Sequence, residues 1–423
     1  MQFQPSHPGF VAIADYDYKL PEEKIARYPL PRRDASQLLV WQSGQITTDI
    51  YQQLHRYIPK GSLIVFNQTK VVNARMIFHK ASGGKVEIFC LEPDLRYPDV
   101  QTAMLQQHEV YWKCLVGGAA KWKAGQILQL EQDSDLRVFA EKIAQEEQTF
   151  LIRLYWESAS GQILSFAEVL HQSGTIPLPP YLNREAEPQD AQSYQTIFAR
   201  EDGSVAAPTA ALHFTDTVMQ ALHRNNCQEQ FVTLHVGAGT FIPVKSTHVT
   251  DHQMHAEWIE VQLDFVRKLR DFFKHKREQN GAEKPALVVV GTTSARTVES
   301  LYWIGVQLIR KEPIHLHEIA VTQWYPYNKD TPIEPEQALE ALLDYMEQKE
   351  MKKLVTRTQI IIVPAYRFRI VEALITNFHQ PRSTLLLLVA ALIGEAWQQV
   401  YDYALQHNFR FLSYGDGCLL WKR

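Results

Sequence analysis

Two histidines and a glutamate in one short segment are the strongest candidates for proton transfer. His252, His255 and Glu257 lie within "VTDHQMHAEWIEV", residues 249–261, and Trp258 follows directly. Imidazole and carboxylate groups are common proton carriers in enzymes, and an indole face attracts cations. We interpret this segment as proton-transfer machinery beside a cationic or planar ligand; a solvated polar strand is the alternative.

A metal site is a second alternative for this histidine-rich stretch. His248, His252 and His255 have the i, i+4, i+7 spacing that brings side chains to one face of a helix. The stretch lacks the H-E-x-x-H pattern of zinc enzymes, and no cysteine lies nearby. We therefore expect no bound metal.

A run of small residues around a proline predicts a close approach between backbone and ligand. The segment "SVAAPTAALHF", residues 204–214, contains four alanines, which are too small to fill a core, and Pro208 prevents an ordinary helix. Thr209 and His213 supply polar groups for the ligand. A tight turn between packed helices is the alternative interpretation.

Two glycines follow a buried-strand pattern in "LHVGAGTFIPV", residues 234–244. Gly237 and Gly239 permit unusual torsions or close approach, as in the glycine loop of methyltransferases that bind S-adenosylmethionine. Such loops run into a helix, whereas Pro243 follows here, so the match is weak. His235 stands at the end of the strand, where it is either a catalytic group or a core residue.

Three hydroxyl residues follow a glycine in "VVVGTTSARTVES", residues 288–300. Thr292, Thr293 and Ser294 lie where a strand ends and a helix begins. Free N–H groups at a helix start bind anions, so this turn fits a carboxylate or a phosphate. The order of residues is not that of a Walker A loop.

Two C-terminal segments carry further polar candidates. In residues 366–392, Arg367 and Arg369 flank Phe368, a basic and aromatic pattern suited to RNA stacking and phosphate contact. A turn in residues 409–420 carries a hydroxyl and a carboxylate, which a surface hairpin also explains. The other candidates in these segments are Asn377, His379, Arg382, Tyr414 and Asp416.

The elements that must position these residues fall into two patterns. From about 61 to 156 the chain consists of short strand-like runs separated by turn formers, which predicts a small all-β barrel or sandwich. Later, strands and helices alternate, which predicts a mostly parallel sheet. We therefore predict a multidomain α/β protein, with a larger α/β domain over 1–58 and 157–423 and an inserted β-barrel domain over 59–156.

The composition of the 423 residues is that of an ordinary globular protein, with 45% hydrophobic and 21% charged residues. A net charge of −4 means that any polyanion must meet a local basic patch. Four scattered cysteines without a C-x-x-C pair favour a reducing compartment. The longest apolar run is too short for a membrane span and no signal-peptide pattern is present, so we expect a cytoplasmic protein with no membrane association.

Ten motif strings together resemble one family, the S-adenosylmethionine:tRNA ribosyltransferase-isomerases of the queuosine pathway. They follow the family's order and span nearly the whole chain: "YDYKLPEEKIARYPLPRRDAS", "IVFNQTKVVNARM", "GGKVEIF", "YQTIFAR", "VAAPTAALHF", "FVTLHVGAGTFIPV", "HQMHAEW", "VVGTTSARTVES", "YRFRIVEALITNFHQPRSTLLLLV" and "FRFLSYGDG". Mild departures from the family pattern are Gln37, Asn73 and Ala211. The stretch 303–358 is longer than in typical members.

The resemblance implies a specific reaction. Members of the family transfer the ribosyl portion of S-adenosylmethionine to 7-aminomethyl-7-deazaguanine at the wobble position of a tRNA. They isomerise the ribosyl group, which gives epoxyqueuosine and releases adenine and methionine. S-adenosylmethionine is then a co-substrate, no prosthetic group or metal is required, and the tRNA is the partner. The implied fold is a larger α/β domain with an inserted barrel, and we expect a monomer.

This reaction implies roles for the candidate residues. The sulfonium acidifies the ribose C5′ proton and departing adenine needs a proton, so His235 or His255, with Glu257, are candidates for base and acid. The "GTTS" turn fits the methionine carboxylate, and Phe241 or Trp258 fits the sulfonium. The matching strings also contain a donor-binding candidate, Arg296, and the expected tRNA contacts, Arg367, Arg369 and Arg382.

Two other classes of function stay open at this point. A nucleic-acid methyltransferase uses the same cofactor but leaves S-adenosylhomocysteine instead of adenine and methionine. A non-catalytic RNA-binding module binds tRNA without consuming the cofactor. The products of the reaction therefore separate all three hypotheses.

Overall fold

The computed structural model describes residues 11–80, 83–123, 125–130, 135–146, 149–237, 246–278, 284–328 and 333–423. The strands in these parts are β1 (Gln37–Gln42), β2 (Gln45–Ile50), β3 (Leu63–Asn67), β4 (Thr69–Val71), β5 (Arg75–His79), β6 (Lys85–Pro93), β7 (Glu109–Gly117), β8 (Ile127–Gln129), β9 (Leu136–Glu146), β10 (Thr149–Ser158), β11 (Glu201–Ser204), β12 (Gln228–Leu234), β13 (Glu257–Gln262), β14 (Leu287–Val290), β15 (Lys353–Thr358), β16 (Ala373–Asn377) and β17 (Gly417–Trp421). The α-helices are α1 (Val100–Met104), α2 (Phe166–Ser173), α3 (Asp190–Ser193), α4 (Asp216–Arg224), α5 (Leu263–Glu278), α6 (Thr292–Ile309), α7 (Pro335–Gln348), α8 (Thr384–Ile393) and α9 (Ala396–Gln406).

A large sheet with the strand order β15-β13-β12-β3-β14-β16-β17-β1-β2 forms the centre of the α/β part. Its middle strands β12, β3, β14 and β16 are parallel to one another, as is the pair of β17 and β1. The other neighbouring pairs are antiparallel. The α/β class is confirmed, but the sheet is mixed rather than mostly parallel, because antiparallel strands extend both sides of the parallel centre.

A closed antiparallel barrel with the strand order β10-β7-β6-β5-β8-β9 confirms the expected all-β unit. Strand β6 shows why it closes around a core, since Val86, Ile88 and Cys90 alternate with more exposed neighbours and are buried. Strand β3 lies within the range 59–156 predicted for the barrel, yet it pairs with β12 and β14 in the large sheet. The exact domain boundaries remain a prediction.

The long helix α6 is the central helix on one face of the large sheet. Its residues from Thr292 to Gln307 are buried. It packs closely on α7 at Gly305, where the missing side chain lets the two backbones approach. A Cβ added at Gly305 would lie 2.0 Å from the carbonyl oxygen of Ala338. The stretch 303–358 thus contains the packing partner of this helix.

The apolar run of α8 belongs to the core. Leu386 to Ala390 are buried, and the Ser383 hydroxyl caps the helix by accepting from Leu386 N at 3.2 Å. No single helix in the described ranges is long and apolar enough to cross a membrane, although α8 and α9 pass that test as a pair bent by 114°.

Candidate active site

A cleft opens where the carboxyl ends of β12, β3, β14 and β16 meet. Because these strands are parallel, the residues that follow them emerge at the same edge of the sheet. The cleft holds about 700 Å³ of empty space when the part open to solvent is included. Its lining residues are Tyr181, Ala206, Ala207, Pro208, Thr209, Ala210, Val236, Gly291, Thr292, Thr293, Thr376, Asn377, His379, Gln380, Ser383, Leu385, Leu412 and Ser413. Segments that are distant in the sequence therefore share one cavity.

The wall formed by the alanine-rich segment is held by a chain of polar contacts. The Thr209 hydroxyl donates to Asn377 Oδ1 at 2.7 Å, and the Asn377 amide donates to His213 Nε2 at 3.3 Å. His213 is buried and stacks on Tyr51 with ring centroids 4.3 Å apart. Burial lowers the pKa of His213 to about 3, so its imidazole is neutral and accepts this hydrogen bond. His213 therefore positions Asn377 and does not line the cleft.

The N-terminus of α6 forms the floor of the cleft. Gly291 precedes the helix with φ 87°, a torsion that a residue with a Cβ rarely adopts. Thr292 and Thr293 line the cavity, whereas the Ser294 hydroxyl donates to Val290 O at 2.8 Å within the helix. Two of the three predicted hydroxyls thus face the site, beside N–H groups that the helix leaves without internal acceptors.

Asn67, at the end of β3, fixes this floor relative to the neighbouring strand. Its amide donates to Leu234 O at 2.9 Å and to Thr293 Oγ1 at 3.2 Å, and its carbonyl oxygen accepts from Leu234 N and Thr69 N at 3.1 Å. Its side chain is fully buried. It was not among the predicted site residues, although a polar residue that ends the apolar run "SLIVFN" was the available signal.

The loop after β16 closes another side of the cleft. The His379 ring lines the cavity and its Nε2 lies 2.8 Å from Thr376 Oγ1, while its backbone N–H donates to the Tyr401 hydroxyl at 3.0 Å. Burial lowers the pKa of His379 to about 3. The neutral imidazole is therefore a polar wall and not a cation at neutral pH.

A smaller cavity adjoins the cleft and is lined by two residues of the histidine-rich segment. Leu385 lines both cavities, and Met254, His255 and Arg296 line the smaller one. His255 Nε2 lies 3.2 Å from Glu257 Oε1, and the Arg296 guanidinium pairs with the other Glu257 oxygen. The predicted proton-transfer segment thus reaches the edge of the cleft through one imidazole.

The charge of Glu257 is set by its two partners. Burial by itself raises the pKa of this carboxyl, but Arg296 and His255 more than offset burial and bring it to about 2. Glu257 is therefore ionised at neutral pH. In this state it accepts hydrogen bonds and orients His255, and it does not serve as a proton donor.

His235 directly follows β12 but lies outside the cleft lining. Its Nδ1 is 3.1 Å from Thr69 Oγ1 and its Nε2 is 3.7 Å from Glu260 Oε1, which in turn faces Lys353 at 2.7 Å through Oε2. It is 6% exposed and is not among the residues that line the cleft. Two separate imidazole–carboxylate pairs therefore replace the single cluster that the sequence suggested.

Comparisons with known proteins bear directly on this arrangement. A family model described as "Queuosine biosynthesis protein" matches residues 13–420. A protein of Magnetococcus marinus named S-adenosylmethionine:tRNA ribosyltransferase-isomerase is 35% identical over 411 residues, covering 97% of this chain and 94% of that protein. The protein of the same name from Thermosipho melanesiensis is 34% identical over 415 residues, with 97% and 99% covered. The chain belongs to this ribosyltransferase-isomerase family.

The crystal structure of S-adenosylmethionine tRNA ribosyltransferase from Thermotoga maritima covers 96% of this chain and 99% of that chain, with 26% identity and a TM-score of 0.44. Membership in the ribosyltransferase-isomerase family itself rests on the sequence matches. It confirms the resemblance and the expectation of a transferase/isomerase in queuosine biosynthesis.

Three predicted donor-binding residues of this ribosyltransferase-isomerase lie away from the cleft. Trp258 packs with the barrel core, and the Arg357 guanidinium lies 5.6 Å from its ring centroid. The Tyr414 hydroxyl donates to Asp190 at 3.0 Å, and Asp416 accepts from the backbone N–H groups of residues 37 and 410. Tyr414 and Asp416 are buried, and their hydrogen bonds hold the turn next to Leu412 and Ser413. Leu412 and Ser413 themselves line the cleft.

The basic and aromatic segment does not form the predicted stacking surface. Phe368 is buried in the core, and the Arg369 guanidinium lies 5.4 Å from the Trp303 ring centroid. Arg367 is exposed and lines a surface groove with Lys422 and Arg423. Among Arg367, Phe368 and Arg369, Arg367 is the exposed one.

The remaining predictions concern single residues. Arg382 pairs with Asp17, and its backbone N–H donates to Tyr16 O at 3.0 Å, so it ties down the segment before β1. Gly237 is described and donates to Glu257 Oε1 at 3.4 Å, whereas Gly239 and Phe241 lie outside the described residues. Among the residues that are described, no group of three or more His, Cys, Asp or Glu side chains is arranged to hold a metal ion.

Proposed function

We propose that this protein transfers the ribosyl group of S-adenosylmethionine to 7-aminomethyl-7-deazaguanine at the wobble position of a tRNA and isomerises it to form epoxyqueuosine. The amine of the modified base forms a bond to the ribosyl carbon skeleton. The bond from C5′ to the sulfonium sulfur and the glycosidic bond both break. Methionine keeps the sulfur electron pair, and adenine leaves with a proton.

The observation that carries this proposal is the convergence of the family motifs in one cleft. The alanine-rich segment, the start of α6, the loop after β16 and the turn at 412–413 all line it. The cavity combines small apolar residues with a few hydroxyl and amide groups, which is the kind of lining that ligand sites typically have. This combination of small apolar residues and polar groups suits the binding of an adenosyl group.

His255 is the best candidate for proton transfer in this proposal. It lines the cavity beside the cleft and is about one-third exposed, so a substrate can reach it. The ionised Glu257 lies 3.2 Å away and orients its ring. The sulfonium acidifies the C5′ proton, and an imidazole in this position has the correct chemistry to accept it. His235 is buried against Thr69 and Glu260 and is the weaker candidate.

The partners follow from the same proposal. S-adenosylmethionine is a co-substrate and no prosthetic group takes part. The modified tRNA reaches the cleft from solution, and Arg367, with its neighbours Lys422 and Arg423, is the proposed phosphate contact outside the cleft. We propose that the protein acts in the cytoplasm as a monomer.

Product analysis tests this proposal. The full chain is incubated with S-adenosylmethionine and tRNA carrying the deazaguanine precursor, and nucleosides and small molecules are identified by mass spectrometry. The proposal predicts epoxyqueuosine in the tRNA and one adenine and one methionine released per modified base. S-adenosylhomocysteine without adenine would instead identify a methyltransferase, and unchanged cofactor would identify a binding module.

A further inference from the structure

Among the described residues, one donor atom of the buried Arg296–Glu257 pair has no acceptor. Arg296 is 6% exposed; its Nε donates to Ile360 O at 3.1 Å, and its Nη1 pairs with Glu257. Nη2 is buried, and no residue in the described ranges accepts a hydrogen bond from it. A buried charged donor without a partner costs stability, so such an atom points to a ligand that completes it.

The cavity at Arg296 has the chemistry of a short apolar chain that ends in an anion. Arg296 lines it together with Met254, Ile361 and Leu388, which supply apolar surface. Leu385 forms a wall of both this cavity and the cleft. A ligand that reaches from the cleft to Arg296 must therefore pass Leu385.

The charges around Arg296 leave room for one further anion. Glu257 pairs with only one terminal nitrogen of Arg296, so among the described residues Nη2 remains open to a second carboxylate. Arg296 also lies in the second turn of α6, close to the positive end of the helix dipole. The guanidinium fork is suited to holding two carboxylates, one on each terminal nitrogen.

We infer that Arg296 binds the α-carboxylate of the donor through Nη2, with the methionine chain in the smaller cavity and the adenosyl group in the cleft. This site rests on the proposed function, because that function supplies the donor. It differs from the sequence-based hypothesis, which gave the carboxylate to the hydroxyl turn at Thr292–Ser294. This arrangement also places the methionine chain of the donor, next to the sulfonium, beside His255.

Decarboxylated S-adenosylmethionine tests the inference, because it keeps the sulfonium, the amine and the adenosyl group. Binding of both donors to the full chain is measured by equilibrium dialysis without tRNA, and kcat/KM is measured from adenine release with precursor tRNA. A charge-assisted hydrogen bond predicts that the wild type prefers the carboxylated donor by about ten- to hundred-fold. A preference near one in the wild type would overturn the inference without any variant.

Arg296→Lys is the informative variant, because it keeps the positive charge beside Glu257 but lacks the fork that reaches two carboxylates. We expect the preference for the carboxylated donor to fall about ten-fold, while binding of the decarboxylated donor changes little. Arg270→Lys is the control, since Arg270 also pairs with carboxylates, those of Glu340 and Asp271, but lies outside both cavities and touches none of their walls. An unchanged preference in folded Arg296→Lys would contradict the inference.

The two proposals fail in different ways. A wild type that binds both donors but releases no adenine contradicts the proposed function, and its binding preference still reports on the carboxylate site. A wild type that releases adenine from both donors with equal kcat/KM contradicts the carboxylate site alone. Arg296→Gln provides a second variant, for which the same collapse of the preference is expected.

Discussion

Replacing Glu257 by glutamine tests the electrostatic core of the site. Glu257 is 2% exposed and is the counter-ion of the buried Arg296. The amide keeps the shape of the carboxylate but removes its charge, so Arg296 is left as an uncompensated buried cation. Breaking one side of a buried pair costs about 3–5 kcal/mol of unfolding free energy. We expect Glu257→Gln to be destabilised by this amount at pH 7.

The pKa of Glu257 gives an independent magnitude. It falls from its ordinary value of 4.5 to about 2 in the folded protein. A carboxyl group whose pKa is lowered by folding stabilises the protein at every pH above the pKa that it has in the unfolded chain. This stabilisation is lost as the pH falls through the pKa that the group has in the folded protein. The shift corresponds to about 3 kcal/mol. The stability difference between wild type and Glu257→Gln should therefore shrink as the pH is lowered from about 4.5 towards 2.

Urea unfolding followed by fluorescence measures both effects over the pH range in which the protein stays folded. Glu347→Gln is the control, because Glu347 forms a surface pair with Arg267 at 2.8 Å in which both side chains are more than 40% exposed. Surface pairs contribute about 0–1 kcal/mol, so this variant should unfold almost like the wild type. Equal stability of Glu257→Gln and wild type at pH 7, or a difference that does not depend on pH, would refute the account of the pair.

Three further variants probe the cleft and the tRNA contact. His255→Asn should lower the rate of adenine release by about 10²–10⁴-fold with little change in donor binding, and an unaltered rate would remove His255 from proton transfer. Gly291→Ala forces a residue with a Cβ to φ 87° and should cost about 1–3 kcal/mol in urea unfolding; a neutral effect would mean that the turn tolerates other torsions. Arg367→Ala should reduce the slope of log tRNA affinity against log salt by about 1, whereas an identical slope would show that Arg367 touches no phosphate.

The cleft was largely predictable because it is built at strand ends. Thr209, Thr292, Thr293, Asn377 and His379 follow buried strands or small-residue turns, and local sequence marks such positions well. Trp258 was predicted to face the donor, but it packs against the barrel core and does not line the cleft, whereas its neighbour Glu257 faces α6. Successive residues of a strand point to opposite faces, and the sequence does not tell which face borders the barrel.

The fold shows the same division between local and long-range information. Short strands were recognised over 61–156, but nothing local distinguishes β3 from the strands of the barrel. Its place in the large sheet is fixed by pairing with β12 and β14, which lie far along the chain. The direction of β17 next to β16 likewise depends on the path of the intervening helices, so the mixed character of the sheet was not predicted.

The central claim is that distant turns meet in one cleft that binds the sulfonium donor. A crystal structure of the full chain with S-adenosylmethionine, in the absence of tRNA, measures this directly. The account predicts donor density between Thr209 and the start of α6, with the methionine chain extending past Leu385 towards Arg296. Donor density elsewhere, with this cleft occupied only by water, would contradict it.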